Sequence, residues 1–285
     1  MMRRWKRWGW HQRVAWLVLA GFLVVCVDGF YVEPARLVER DYTLPLVNWP
    51  ASCDGLRVDV ISDTHTGSPR NGLDKIDRIV AKLSASDADL VVMTGDYVIL
   101  SVLAGTYIPA DKIAEHLKPL TARKPVYAVL GNHDWWKNGP RVSHAFAGIG
   151  VHMIDNMALP IDAGRCHFWL AGLGDSMEGH PDVRATFAMI PRQASVITIT
   201  HEPSLWPRVP MQATLTIAGH THGGQINPFG WLTPAQFKPY SHQLQGKYVF
   251  DGRSLFVSPG IGTSILPMRL GVPPEISRLT LHSKH

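Results

Sequence analysis

Cysteine is scarce in this chain of 285 residues. The three cysteines include no C-x-x-C pair and form no cluster that could supply a thiolate metal site. Cys26 lies in an apolar run near the N-terminus, and Cys53 and Cys166 are far apart in the sequence. We expect Cys53 and Cys166 to be buried thiols, and a disulfide between them is the alternative if the domain is exported.

A strongly basic surface that could bind nucleic acid is also missing. The formal net charge is +5, but much of the excess lies within the first 13 residues. The basic residues of this tip are Arg3, Arg4, Lys6, Arg7 and Arg13. Because the rest of the chain is close to neutral, the composition indicates no nucleic-acid partner. The chain has no internal repeat and no low-complexity tract, and its length is sufficient for one large α/β domain.

One long apolar run is present, at residues 14–32, where Asp28 is the only charged residue. A helix that crosses a bilayer needs roughly 20 predominantly apolar residues, so we expect a single-pass transmembrane anchor. No small-x-small cleavage site follows, which favours an uncleaved anchor over the alternative, export after signal cleavage. The positive-inside rule predicts that the basic tip, residues 1–13, is cytoplasmic. After a linker at residues 33–50, a domain at residues 51–285 would then lie outside the cytoplasmic (inner) membrane.

Strands and amphipathic helices alternate in the first half of the domain. The segment LDKIDRIVAKL, residues 73–83, has apolar residues at helical spacing, and Ile113, Leu117 and Leu120 share one face of a second helix. This alternation predicts βαβ units around a parallel sheet. The other predicted elements are a short strand in the linker at Tyr42–Val47, strands at 166–171, 195–200, 213–218, 254–258 and 276–281, and one helix at about Val183–Ile190.

Five predicted strands end in side chains that can bind a metal ion. These side chains are Asp63, His65, Asp96, Asn132, His133, Asp134, His201, His220 and His222. In open α/β sheets, ligands bind at the carboxyl ends of the strands. Taken singly, Asp63 and Asp96 could be helix caps and Asn132 a turn residue. Taken together, the carboxylate, amide and imidazole donors indicate a metal centre that suits Mn, Fe or Zn better than Cu(I), or Ca or Mg alone.

These motifs resemble those of a known family. D-x-H, GD, GNHD, a single H and GHTHGGQ, in that order, resemble the calcineurin-like metallophosphoesterase superfamily. The tail at Ser258–Ile276 resembles its membrane-associated or exported bacterial branch. The resemblance implies an α/β fold, a four-layer αββα sandwich in which two facing mixed sheets are flanked by helices. In this chain one transmembrane helix would precede the sandwich.

The resemblance also implies two divalent or trivalent transition-metal ions in each chain. The ligands of one ion would be Asp63, His65, Asp96 and His222. The ligands of the other would be Asp96, Asn132, His201 and His220, with Asp96 bridging the pair. A hydroxide held between the ions would attack phosphodiester, phosphomonoester or pyrophosphate bonds. His133 would protonate the leaving group or stabilise the transition state, and Asp134 would orient the His133 ring.

The substrate is encoded less clearly. A tethered enzyme meets membrane-bound substrates at high local concentration, so we expect a preference for lipid-linked phosphodiesters or pyrophosphates. Aromatic residues could cover an apolar group beside the metals, although packing explains them equally well: Trp135, Trp136, Phe229, Trp231 and Phe237. Arg269 could contact a phosphate. The alternative function is a non-catalytic, metal-binding interaction scaffold of the same fold, but such relatives lose ligands that this chain retains.

Overall fold

The computed structural model describes residues 9–230 and 243–284. Its helices are α1 Trp10–Val27, α2 Leu73–Ala85, α3 Ala110–Thr121, α4 Asn132–Ala147 and α5 Val183–Ala188. Its strands are β1 Val38–Leu46, β2 Leu56–Ile61, β3 Leu90–Met93, β4 Val126–Ala128, β5 His152–Met153, β6 Met157–Ala163, β7 Cys166–Gly172, β8 Val196–Ile199, β9 Ala213–Ala218, β10 Gly246–Phe250, β11 Arg253–Val257 and β12 Glu275–Ser283.

The strands form two mixed sheets of six strands each. In the first, with the order β1-β12-β2-β3-β4-β5, strands β2 to β5 are parallel and β12 is antiparallel to β2. In the second, with the order β10-β11-β9-β8-β7-β6, the four central strands are parallel and the two edge strands are antiparallel to their neighbours. The carboxyl ends of the parallel strands therefore meet at one edge of each sheet.

Apolar side chains from both sheets fill the space between them. Val60 of the first sheet and Leu170 and Leu215 of the second belong to one buried cluster. Helices α2, α3 and α4 cover the other face of the first sheet, where Ile79 and Leu117 are buried, and α5 packs on the second sheet. Because both faces are covered, β3 and β8 are buried at every position. The predicted four-layer αββα sandwich is thus confirmed.

Helix α1 does not pack in the sandwich, and none of its residues is buried. The chain continues through a π-helical turn at Asp28–Val32 and a 3₁₀ turn at Glu33–Ala35. By length and composition, the helical segment Trp10–Ala35 can cross a membrane. It contains the predicted anchor, residues 14–32. Residues 1–8 of the predicted basic tip lie outside the described residues.

The segment predicted as a linker contributes to the sandwich. In place of a short strand at Tyr42–Val47, β1 has nine residues and pairs along its length with β12. The sequence pattern did not predict β5, β6, β10 or helix α4. Polar or proline residues interrupt the apolar pattern in two of these strands, at Pro160 and Asp162 in β6 and at Lys247 in β10. Edge strands tolerate such residues because one side of the strand is unpaired.

A disulfide joins Cys53 and Cys166, which are 113 residues apart in the sequence. Cys53 lies in the turn before β2 of the first sheet, and Cys166 begins β7 of the second, so the bond ties the two sheets together. The expectation of two buried thiols is therefore wrong. Both side chains are buried, as expected, but the Cα atoms lie only 4.4 Å apart, within the range for a disulfide.

Candidate metal centre

The structure places all nine predicted site residues at the carboxyl ends of five parallel strands. Asp63 and His65 follow β2, Asp96 follows β3, Asn132, His133 and Asp134 begin α4 after β4, His201 follows β8, and His220 and His222 follow β9. Backbone hydrogen bonds hold neighbouring strand ends together. The N–H of Asp63 donates to the carbonyl of Gly95 at 2.9 Å, and the N–H of Gly219 donates to that of His201 at 2.9 Å.

One half of the cluster contains Asp63, His65 and His222, and one potential ligand atom of each lies within 4.8 Å of the others. His65 Nε2 lies 3.1 Å from His222 Nε2, and His222 Nε2 lies 3.4 Å from Asp63 Oδ1. Lone pairs on two imidazole nitrogens and a carboxylate would repel one another at these distances. A cation among them would remove that repulsion, so the donor set fits a metal ion.

The other half contains Asn132, His201 and His220. His201 Nε2 lies 3.1 Å from Asn132 Oδ1 and 3.1 Å from His220 Nδ1. Asp96 stands between the halves, because its Oδ2 lies 3.3 Å from His201 Nε2 and 3.4 Å from His65 Nε2. One carboxylate oxygen therefore reaches both groups of donors.

The backbone at the cluster is strained. Five of the donor residues have positive φ angles: Asp63 50°, His65 37°, Asp96 58°, His220 70° and His222 52°. Left-handed backbone at a residue other than glycine costs of order 1–3 kcal/mol and is concentrated at functional sites. Flanking glycines allow the chains to approach closely. A Cβ on Gly219 would lie 1.8 Å from Ser62 Oγ, and one on Gly131 would lie 2.3 Å from Asp96 Oδ1.

Hydrogen bonds from neighbouring groups orient the donors. His201 Nδ1 donates to the carbonyl of Thr94 at 2.7 Å, so the lone pair of Nε2 points into the cluster. The Ser62 hydroxyl donates to the Asp63 carboxylate, and the N–H of His220 donates to both oxygens of that carboxylate at 3.0 and 3.1 Å. The donors are thus positioned before any ion binds.

His133 lies at the solvent side of the cluster. Its ring stands edge-on to that of His65 with the centroids 4.6 Å apart, and the residue is 9% exposed. Its Nδ1 accepts a hydrogen bond from the N–H of Leu100 at 3.3 Å, which leaves the proton of a neutral ring on Nε2. Burial lowers the pKa of His133. The neutral ring is therefore placed to donate a hydrogen bond from Nε2.

Asp134 does not orient the ring of His133, and this predicted role is corrected. The Asp134 carboxylate accepts hydrogen bonds from the backbone N–H groups of Asp96 at 2.8 Å, Tyr97 at 2.9 Å, Val98 at 3.2 Å and Gly131 at 3.0 Å. Asp134 lies in the first turn of α4, and its carboxylate binds backbone amides at the start of that helix and in the loop after β3. Burial and the charge of Asp96 raise the pKa of Asp134 to about 7. Its contacts shape the loop that carries Asp96.

The buried imidazoles differ in protonation. Burial lowers the pKa of His65 to about 4 and that of His222 to about 3, so both rings are neutral at pH 7. Burial also disfavours a charged His201, but the carboxylate of Asp96 outweighs it and raises the pKa of His201 to about 10. The Asp96 carboxylate thus favours a positive charge beside it, and a bound metal cation would supply that charge and displace a proton from Nε2 of His201.

The side chain of Arg269, considered above as a phosphate contact, is fully buried and bound to backbone carbonyls. The guanidinium donates to the carbonyls of Gly262 at 2.8 Å, Val272 at 2.9 Å and Pro259 at 3.0 Å. One nitrogen, Nη2, lies 3.5 Å from Nδ1 of His222. Arg269 therefore holds the tail of the domain against a predicted metal ligand.

Two polar side chains near the cluster were not predicted to have a role. The amide of Gln225 donates to the carbonyls of Ser264 at 3.2 Å and Leu266 at 2.9 Å and accepts from the N–H of Ser264 at 2.8 Å. Glu202 Oε1 lies 3.8 Å from His220 Nε2. The sequence signals are the place of Gln225 in GHTHGGQ and of Glu202 directly after a strand-end histidine.

Two of the five predicted pocket aromatics lie near His133. Trp135 packs against the buried cluster between the first sheet and its helices. Trp136 is 44% exposed, and its ring centroid lies 5.4 Å from that of His133. The side chain of Phe229, and all of Trp231 and Phe237, lie outside the described residues. Trp135 thus has a packing role, and a wall beside the metals stays a prediction for Trp136.

Several known proteins are similar to this chain in sequence. YkuE of Bacillus subtilis, described as an uncharacterized metallophosphoesterase, is 29% identical over 260 residues, which span 89% of this chain and 88% of that protein. A transmembrane protein with a metallophosphoesterase domain from Danio rerio is 28% identical over 293 residues, or 95% of this chain and 62% of that protein. The phosphodiesterase YaeI of Escherichia coli is 28% identical over 204 residues, or 68% of this chain and 70% of that protein.

A family model also matches the chain. The model for the calcineurin-like phosphoesterases covers residues 56–224, from the first residue of β2 to the histidines after β9. The matched region includes all nine predicted site residues. The family uses divalent metals, and its members hydrolyse phosphoester bonds. The transmembrane relatives and the apolar helix α1 together indicate association with a membrane. The chain belongs to the calcineurin-like phosphoesterase family and is a metallophosphoesterase.

Proposed function

We propose that the cluster holds two metal ions and hydrolyses phosphodiesters, with Asp96 as the bridging ligand. Asp63, His65 and His222 would complete the shell of one ion, and Asn132, His201 and His220 that of the other. The observation that carries the proposal is the position of Asp96 Oδ2, within 3.4 Å of a histidine nitrogen in each half. Seven ligands are too many for one four-coordinate zinc ion, which argues against a single structural zinc.

The ions would supply an activated water and neutralise charge on the phosphoryl oxygens. The residues of the chain contact the leaving oxygen and hold the metal ligands in place. His133 stabilises charge on the leaving oxygen with a hydrogen bond from its Nε2–H, because its Nδ1 accepts from the N–H of Leu100. Thr94 and Ser62 keep His201 and Asp63 in fixed orientations, so little reorganisation is needed during the reaction.

The Asp96→Asn variant tests the bridging role. A neutral amide cannot bridge two cations as a carboxylate does, so we expect loss of both bound metal and hydrolysis of a chromogenic bis-aryl phosphate with added Mn. The measurements are metal analysis of the purified chain and turnover of that substrate. Normal metal content with normal turnover in Asp96→Asn would refute the assignment. A wild-type protein that binds metal but never hydrolyses any phosphoester would support the scaffold alternative instead.

We further propose that the domain lies outside the cytoplasmic membrane. The disulfide between Cys53 and Cys166 supports this orientation, because such bonds persist in oxidising compartments and are rare in the cytosol. Protease added to intact spheroplasts should digest the domain. Full protection of the domain in that experiment would contradict the orientation.

The proposed substrates are phosphodiesters or pyrophosphates linked to lipids. The support is the tether, which concentrates the enzyme at the bilayer, and the exposed ring of Trp136 beside His133. The test compares kcat/KM for a lipid phosphate with kcat/KM for its water-soluble headgroup, and a higher value is expected for the lipid. Equal values would refute the lipid preference and leave the metal assignment intact.

A further inference from the structure

The end of the membrane helix is fixed to the catalytic domain. Gly29 accepts a hydrogen bond from the N–H of Arg269 at 2.9 Å, and a Cβ on Gly29 would lie 2.6 Å from Met268. Glu33 is buried and accepts from the N–H of Gly271 at 3.0 Å. Helix α1 and the domain therefore meet through several contacts, and the domain cannot swing freely about a flexible linker.

The length of α1 places these contacts at the membrane surface. From Val14, the first residue of the apolar run, about 20 residues at 1.5 Å per residue cross the roughly 30 Å hydrocarbon core. The turn at Asp28–Val32 therefore lies at the outer boundary of that core. Because Arg269 and Gly271 contact this turn and the residue after it, the loop at residues 262–272 is held close to the headgroups as well.

That loop displays an exposed apolar surface. Ile265 is 79% exposed and Leu103 is 66% exposed, and the N–H of Leu103 donates to the carbonyl of Ile265 at 3.0 Å. Leu100, 39% exposed, belongs to the same loop as Leu103. We name these three residues the apolar ledge. Ile265 also has a φ angle of +62°, which is a genuine outlier for a β-branched side chain.

The apolar ledge connects the metal centre with the membrane helix. On one side, the N–H of Leu100 donates to His133. On the other, Ile265 lies four residues before Arg269, hence within about 14 Å of the residue that binds Gly29. The amide of Gln225, from the GHTHGGQ motif, holds the carbonyls on either side of Ile265. The apolar ledge is thus fixed both to the metal centre and to the end of the membrane helix.

Basic side chains flank the same junction. The guanidinium of Arg70 lies 4.0 Å from the ring centroid of Tyr31, and Arg78 donates to the carbonyl of Ala35 at 3.4 Å. Both arginines line a cleft of about 430 Å³ that also contains Ala104, next to Leu103 of the ledge. Exposed apolar residues beside arginine and tyrosine are typical of surfaces that lie at the headgroup region of a bilayer.

We propose that the apolar ledge inserts into the bilayer that α1 crosses and holds the mouth of the metal centre at the lipid surface. This deepens the proposed function, on which its kinetic consequence rests, because a lipid-linked phosphate could reach His133 without leaving the membrane. The exposed side chain of Ile265 gains an apolar environment there.

A position-specific probe tests the contact without reference to activity. In a Cys26→Ser background, the full chain in nanodiscs is labelled with an environment-sensitive fluorophore at Ile265→Cys, or at Met211→Cys as a matched exposed control. Cys53 and Cys166 are bonded and do not react. Lipids with brominated tails should quench the probe at 265 strongly and leave that at 211 unchanged. Equal quenching by the brominated lipids at both positions would overturn the proposal.

A kinetic comparison tests whether the apolar ledge helps a lipid-linked phosphate to reach the metal centre. The double variant Leu103→Gln/Ile265→Asn removes the apolar side chains, and asparagine tolerates the left-handed backbone at 265, so folding is preserved. Turnover of a lipid phosphodiester in nanodiscs, divided by that of soluble bis(p-nitrophenyl) phosphate, should fall at least about tenfold. The control Met189→Gln/Met211→Gln should leave this ratio unchanged.

The outcomes separate the two proposals. Quenching at 265 in a protein that hydrolyses neither substrate would refute the proposed function and support the membrane contact. Hydrolysis of both substrates with no change of ratio in the ledge variant would overturn the role of the ledge in substrate access. A fall in turnover that is equal for both substrates would overturn that role too.

Discussion

A buried lysine at the junction with the membrane helix should make the stability of the domain depend on pH. Lys75 of α2 is 1% exposed, and its ammonium donates to the carbonyl of Pro34. Burial, followed by the positive charges of Arg269 and Arg78, lowers the pKa of Lys75 to about 7 from the model-compound value of 10.5. Between these two values the unfolded chain binds more protons than the folded one, so stability rises with pH.

The size of the effect follows from the shift in pKa. From pH 7 to pH 9 the folded domain, already half deprotonated at Lys75, gains roughly 2 kcal/mol relative to the unfolded chain. For a domain of this size, each kcal/mol raises Tm by about 2–4 °C. We therefore expect Tm to rise by about 4–8 °C between pH 7 and pH 9, apart from contributions of other groups.

The assay compares Tm at the two pH values for the full chain in detergent and for two variants. Lys75→Met should abolish the rise, whereas Lys82→Met, on the same helix but at a partly exposed position, should retain it. Subtracting the change in Tm of one variant from that of the other removes the contribution of all other titrating groups. If Lys75→Met shows the same increase in Tm as the wild type, Lys75 is protonated in the folded domain and our account of the junction is wrong.

Three further predictions concern the site and the sheets. His133→Ala should keep its metal but lose ~10²–10⁴-fold in kcat, and less for substrates with very good leaving groups; loss of metal would instead make His133 a ligand. Gly219→Ala should weaken metal binding, because its Cβ would displace Ser62 and Asp63, and unchanged metal affinity would contradict this. Reduction of the Cys53–Cys166 bond should cost about 4–5 kcal/mol of stability for a loop of 113 residues, and an unchanged Tm would count against it.

The sequence was sufficient to predict the features with a regular pattern. Helical spacing predicted α2 and α3, and the apolar strands before Asp63, Asp96 and His201 predicted where donors meet. These features depend on residues close together in the chain. Each strand end could therefore be recognised separately and combined through the general rule for α/β sheets.

The remaining features depend on contacts between distant residues. The carboxylate of Asp134 binds amides near Asp96, and the sequence does not reveal that this arrangement replaces a contact with His133. Arg269 looked like a phosphate ligand because an isolated arginine has no visible partner, whereas its partners are backbone carbonyls. The approach of Cys53 to Cys166 likewise follows from the stacking of the sheets.

Anomalous diffraction from Mn-loaded crystals of the full chain tests the central claim most directly. Our account predicts two peaks about 3.5–4 Å apart, with the carboxylate of Asp96 touching both. His65 and His222 should contact one peak, and His201 and His220 the other. A single peak, or two peaks without Asp96 between them, would contradict the proposed dinuclear centre.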